Sequence, residues 1–209
     1  MILDPDVFYH FRHAALYADG GIFSSNFPWL PYSVISKYDA DIWYGFHLIL
    51  IPFTWVGNQI LGIRILTVFT ICSFLLLLYW AFWREGIRQP FFWAFAAFFA
   101  SFFGFIHFTL ARPHVLSAGL SIVLFSFLLA GNSWAIFAFG FLLAFFHLSL
   151  FWLPLLIFSV VSATRFFIEK TVKWQDGIVL FAGLVLGWIM RPNPLGAAKI
   201  AYVDRKSVV

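Results

Sequence analysis

Residues 65–83 read ILTVFTICSFLLLLYWAFW, an apolar stretch without one charged side chain. A bilayer-spanning helix needs about 17–25 predominantly apolar residues, so this stretch alone reaches the required length. It is closed by REGIRQ at 84–89, where charge returns. The same alternation of long apolar runs and short polar breaks fills most of the chain. Of its residues 63% are hydrophobic and 11% charged, against roughly 45–50% and about 25% in soluble domains. That imbalance excludes a water-soluble globular domain. The expectation is an all-α, polytopic membrane helical bundle with an extracytoplasmic first loop that contains short juxtamembrane helices.

Outward from 65–83 the chain divides into a loop region at 1–60, a bundle at 61–203 and a tail at 204–209. About six membrane helices are expected, over 64–83, 90–110, 114–130, 134–147, 149–166 and 177–191. The run from Trp134 to Ala163 would measure about 45 Å as one helix, against about 30 Å of hydrocarbon. It is therefore divided near His147-Leu148-Ser149 into two short or re-entrant pieces. In the loop region, Asp4 followed by Pro5 is a helix-start signal, because Asp caps free N–H groups and Pro fits the first helical position. A short helix from Pro5 to about Ala18 follows, then a turn at DGG, an irregular aromatic stretch FSSNFPWLPYS and a surface-lying helix over 42–58. The last residues, DRKSVV, are what the adapter-like string GATCGGAAGAGCGTCGTG encodes, and they are expected to be a non-native tail, with a genuine polar tail as the alternative.

Arg84, Arg88, Arg165, Lys170 and Lys173 cluster in two loops, which the positive-inside rule assigns to the cytoplasm. Residues 4–41 then lie on the opposite face, with Arg64, Arg112 and Arg191 at the ends of spans. For Asp4 to be outside, a further span must precede it, so the chain is expected to be an internal piece of a longer protein, in the inner membrane if prokaryotic. The net charge of +4 is not gathered into a basic run, so nucleic acid is excluded as a partner. A single cysteine, Cys72, excludes an intramolecular disulfide and a cysteine-only metal cluster.

The ionisable residues concentrate in DPDVFYHFRH at 4–13 and KYDADIWYGFH at 37–47. Charge at membrane depth is costly and marks substrate paths or paired partners. Arginine suits phosphate, which it clamps through parallel hydrogen bonds. An acidic loop above three arginines fits a lipid-phosphate substrate, with carboxylates at the headgroup and Arg64, Arg112 and Arg191 on the phosphate. Taken singly, each arginine also fits a simpler role: Arg64 as a headgroup anchor, Arg112 and Arg191, each before a proline, as helix-end markers.

The stretch DPDVFYHFR, followed by a glycine break and FPWLPYS, resembles the first external loop of GT-C superfamily glycosyltransferases. These include oligosaccharyltransferase catalytic subunits and protein O-mannosyltransferases. GIRILTVF and ARPHVLS fit the same organisation. The resemblance implies a polyprenyl-phosphate or -pyrophosphate sugar donor and transfer to an acceptor, of unspecified identity, on the extracytoplasmic side. It places Asp4 as the first-loop acid acting as general base or metal ligand, Asp6 as its D-x-D partner, and Arg64 on the lipid phosphate. A divalent Mg or Mn ion at Asp4 and Asp6 is part of that expectation. The chain departs from the family at Tyr9-His10 and lacks its later catalytic and acceptor-recognition elements. The rival expectation is a non-enzymatic transporter or flippase that binds an anionic solute or lipid.

Other residues carry weaker signals. Asp6, His10 and His13 share one helix face by spacing, which suits either metal ligation or polar packing. Asp39 and Asp41 form a second D-x-D that fits solvated loop acids, a helix cap, metal binding or acceptor positioning. Arg12 and His114 are accessory candidates, His114 as a lining of the same outer cavity. His107 and His147 lack the partners that haem ligation needs.

Overall fold

The computed structural model describes residues 6–24, 34–100 and 102–206, and among these every regular element is helical. Asp4, the first-loop acid of the resemblance, and most of the aromatic loop at 23–33 lie outside the described residues. The loop region supplies α1 (Asp6–Gly20), α2 (Val34–Tyr38) and α3 (Tyr44–Thr54). The bundle follows with α4 (Gln59–Arg84), α5 (Pro90–Phe99), α6 (Phe102–Phe108), α7 (Pro113–Ala130) and α8 (Ser133–Phe146). After a 3-10 turn at Leu148–Leu150 come α9 (Trp152–Glu169), α10 (Trp174–Ile189) and α11 (Pro194–Lys206).

Local signals set these boundaries. Asn58 caps α4 by accepting a hydrogen bond from the Leu61 N–H (3.1 Å), and Asn132 caps α8 in the same way with Ala135 (3.1 Å). Such caps satisfy N–H groups that the helix cannot pair. Pro90 and Pro113 open α5 and α7, where a missing N–H costs nothing. Gly131 ends α7 in the left-handed region (φ 69°), a conformation that glycine adopts without strain.

Three helical stretches are long and apolar enough to cross a membrane: Gln59–Arg84, Pro113–Ala130 and Leu148–Glu169. Trp174–Ile189 and Pro194–Val203 meet that measure only together, bent by 105°. α8 ends at Phe146, and the 3-10 turn with α9 makes up the Leu148–Glu169 stretch. The expected span at 90–110 is not one straight helix. Phe98 and Phe108 would stand about 15 Å apart along a straight axis, yet their rings are 6.1 Å apart, so α5 and α6 are not collinear.

α7 is the central element. Its Leu116 joins a core with Val7, Phe11, Phe46 and Leu66, and its Leu124 and Leu128 join another with Ile136, Val161 and Leu180. Its serines are satisfied inside the helix, Ser117 donating to the Pro113 carbonyl (2.9 Å) and Ser121 to that of Ser117 (2.7 Å). Arg165, counted above as a loop charge, is buried beneath the end of α7. It donates to the carbonyls of Leu128 (2.5 Å) and Leu129 (3.0 Å) and pairs with Asp176 at 3.3 Å. Carbonyls at the end of α7, with acceptor capacity left over, draw it inward.

α8 and α10 pack backbone to backbone. A Cβ on Gly183 would collide with the Phe137 carbonyl oxygen, and one on Gly187 with that of Phe141. Small residues of this kind let helix backbones approach closely. Gly183→Val is expected to lower stability by about 1–3 kcal/mol through overpacking. A melting temperature in detergent equal to that of the wild type would contradict the close approach.

Candidate functional site

α1 is amphipathic in an unusual sense: its buried face carries His10, His13 and Tyr17 beside Val7, Phe11 and Ala14. That face packs on α3, which turns Tyr44 and His47 toward it, one helical turn apart. Asp41 enters from the segment before α3. The turn into that segment begins at Asp39, an exposed residue with φ 47°, a conformation that Asp tolerates better than most side chains.

The Asp41 carboxylate is buried and surrounded by donors. Its Oδ1 accepts from the Trp43 backbone N–H (2.8 Å), and its Oδ2 from the Tyr17 hydroxyl (3.0 Å) and His47 Nδ1 (2.5 Å). His13 Nε2 lies 3.5 Å from the same oxygen. Because an ionised carboxylate only accepts, His47 carries its proton on Nδ1. His47 Nε2 then accepts from His10 Nδ1 at 2.8 Å, so a relay runs from His10 through His47 to Asp41. His13 stacks on His47 with ring centroids 4.3 Å apart.

Charge follows from this packing. Burial pushes the Asp41 carboxyl up, but His47, His13 and the donated hydrogen bonds outweigh it and hold the group well below the usual carboxylate range. Burial, aided by His47 and opposed by Asp41, pushes His13 down to about 3. His10 is lowered for the same first reason, with His47 next. Burial and then Asp41 raise the Tyr17 hydroxyl, which therefore stays a donor. The centre is thus one carboxylate beside the neutral imidazoles of His10 and His13.

Beside it, at the start of α7, Arg112 Nη2 meets Asp6 Oδ2 at 2.7 Å, with the two side chains 32% and 58% exposed. The Arg112 charge reaches His10. Half-buried His114 lies near His147, whose ring stands 6.5 Å from that of Trp43. Asp6, His10, Asp41, Arg112 and His114 are thus gathered around one end of the bundle.

Of the remaining candidates, only Arg191 reaches the centre, through the Asp41 backbone. Arg64 is exposed on α4, Arg12 is exposed beside a shallow cleft with Thr54 and Gln59, and Asp39 is a solvated turn residue. Arg191 is buried, and its guanidinium donates to backbone carbonyls of Asp41, Ala144, Trp188 and Gly187. Its donors are therefore committed to holding the fold, not a donor phosphate. Asp6 faces a guanidinium. Among the described residues, the ligand-capable side chains that converge are His13, Asp41 and His47, an imidazole-rich set unlike the oxygen ligands Mg or Mn prefers.

His47 and Tyr17 did not stand out in the sequence. The available signal was a histidine inside an apolar run, six residues after Asp41 and matching the two histidines of α1. On the other side of the Asp41 segment, an apolar cleft of about 380 Å³ is lined by Leu148, Phe151, Leu155, Phe181 and Trp188. Leu148 N–H donates to the Ile42 carbonyl at 2.9 Å, which joins the two regions. Comparison with protein-family models, curated proteins and solved structures gave no match to this chain.

Proposed function

We propose that this chain belongs to a polytopic integral-membrane glycosyltransferase that takes a sugar from a polyprenyl-phosphate or -pyrophosphate donor on the extracytoplasmic side. The observation that carries the reading is the Asp6–Arg112 ion pair, an acid of the first loop on an arginine that opens a membrane-length helix. A donor phosphate replaces Asp6 on the guanidinium and frees the carboxylate. Asp6 then takes the acceptor proton as the acceptor oxygen or nitrogen bonds to the anomeric carbon. The bond from that carbon to the phosphate oxygen breaks, and its electron pair leaves on a phosphate that Arg112 stabilises. The cleft beside Leu148 and Trp188 offers apolar surface to the polyprenyl chain.

Arg112→Ala is expected to cut transfer from a polyprenyl-phosphate-linked sugar by about 100-fold, and Asp6→Asn to do the same. Insertion should be unchanged, because a pair this exposed contributes only about 0–1 kcal/mol to stability. Both variants are assayed as intact protein in proteoliposomes. Wild-type transfer by both would overturn the assignment, and movement of the donor lipid between leaflets without transfer would identify a flippase instead.

A further inference from the structure

The His/Asp centre between α1 and α3 takes no part in that reaction, since its side chains are closed to solvent. We infer that His13, Asp41 and His47 form a binding site for one divalent transition-metal ion of the zinc class, which ties α1 to α3. One ligand atom from each residue lies within 4.8 Å of the others. A tetrahedral ion with bonds of about 2.0–2.1 Å sets its ligands about 3.3–3.5 Å apart. His13 Nε2 and Asp41 Oδ2 are already at 3.5 Å. His47 Nδ1, at 2.5 Å from the same oxygen, retreats by about 1 Å when an ion replaces its proton, and its ring turns out of its stack on His13 so that the ion lies in both ring planes.

The surroundings support the ligands as metal sites require. A ligating histidine normally hydrogen-bonds through its other ring nitrogen, which fixes its orientation. His47 Nε2 has His10 Nδ1 at 2.8 Å for that purpose. When the ion takes the Nδ1 lone pair of His47, the His47 proton moves to Nε2 and donates to His10. His10 then carries its own proton on Nε2, so none has to be expelled. Tyr17 and the Trp43 N–H hold the carboxylate from outside. Two imidazoles and one carboxylate favour Zn²⁺ over Mg²⁺ or Ca²⁺.

The test uses the intact protein in detergent, with any affinity tag removed and the metal stripped by chelator, and titrates Zn²⁺ and Co²⁺ separately. One equivalent of each is expected to bind, with Co²⁺ giving the visible d–d bands of a low-coordinate ion. His13→Gln and His47→Gln should each abolish the bands. His10→Gln should keep them and weaken binding by about 10- to 100-fold. Asp6→Asn and Arg112→Ala should retain the full equivalent, so failure of the transferase reading leaves this result untouched. Wild-type protein that binds neither ion stoichiometrically overturns the inference. So does unaltered binding in both His13→Gln and His47→Gln.

Discussion

Arg191→Ala is expected to destabilise the protein by about 3–5 kcal/mol. Arg191 sits in the short link where the chain turns by 105° from α10 into α11. Its Nη1 donates to the Asp41 carbonyl (2.9 Å), its Nη2 to that of Ala144 (2.6 Å) and its Nε to that of Trp188 (3.1 Å). One side chain therefore closes backbone groups on α8, on α10 and in the segment that presents Asp41. Alanine leaves those carbonyls facing apolar surroundings, where hydrogen bonds to a charged donor contribute about 1.5–3 kcal/mol each. The costs are not additive, hence the lower total. Lysine keeps the charge but not the planar fork, so Arg191→Lys should fall between wild type and alanine. Thermal unfolding in detergent measures the series. An alanine variant within about 1 kcal/mol of wild type would mean that the carbonyls find other partners and that Arg191 is dispensable.

The contrast between Arg191 and Arg112 explains how far the sequence could be read. Both precede a proline at the end of an apolar run, and both read as phosphate ligands or helix-end markers. Which role each takes depends on what approaches from elsewhere: the Asp41 carbonyl 150 residues away for Arg191, and Asp6 of α1 for Arg112. Local pattern encodes neither approach. The long helices were legible because length and apolarity are properties of a window, as in Gln59–Arg84 and Pro113–Ala130. The division between α5 and α6 was not, since PFFWAFAAFFASFFGF is almost wholly apolar and gives no periodic cue where a helix stops. In the centre itself, spacing put His10 and His13 on one face and marked Asp41 as a helix-cap or ligand candidate. Their meeting at His47 required the docking of α1 on α3, a contact between segments about 37 residues apart. Buried polar residues inside apolar runs were the signal left unused.

Asp41 is the residue on which that docking depends, and Asp41→Ala is expected to cost about 3–5 kcal/mol even with chelator present. Removing the carboxylate strips the acceptor from the Trp43 N–H, the Tyr17 hydroxyl and His47 Nδ1 together. Each of these donors is then left in a site that water does not reach. Asp41→Asn separates shape from charge. Its carbonyl oxygen can still accept from Trp43, but its amide nitrogen now confronts His47 Nδ1–H. The conflict resolves if the relay reverses, with the amide donating to His47 Nδ1 and His47 Nε2–H donating to His10. The Tyr17 hydroxyl rotates away at the loss of one bond, so Asp41→Asn should cost about 1–2 kcal/mol. Nitrogen-15 chemical shifts of His47 report the reversal directly, because the protonated ring nitrogen changes from Nδ1 to Nε2. Equal destabilisation by Asn and Ala, with no change of tautomer at His47, would show that the buried negative charge, and not the chain of donors, holds α1 against α3.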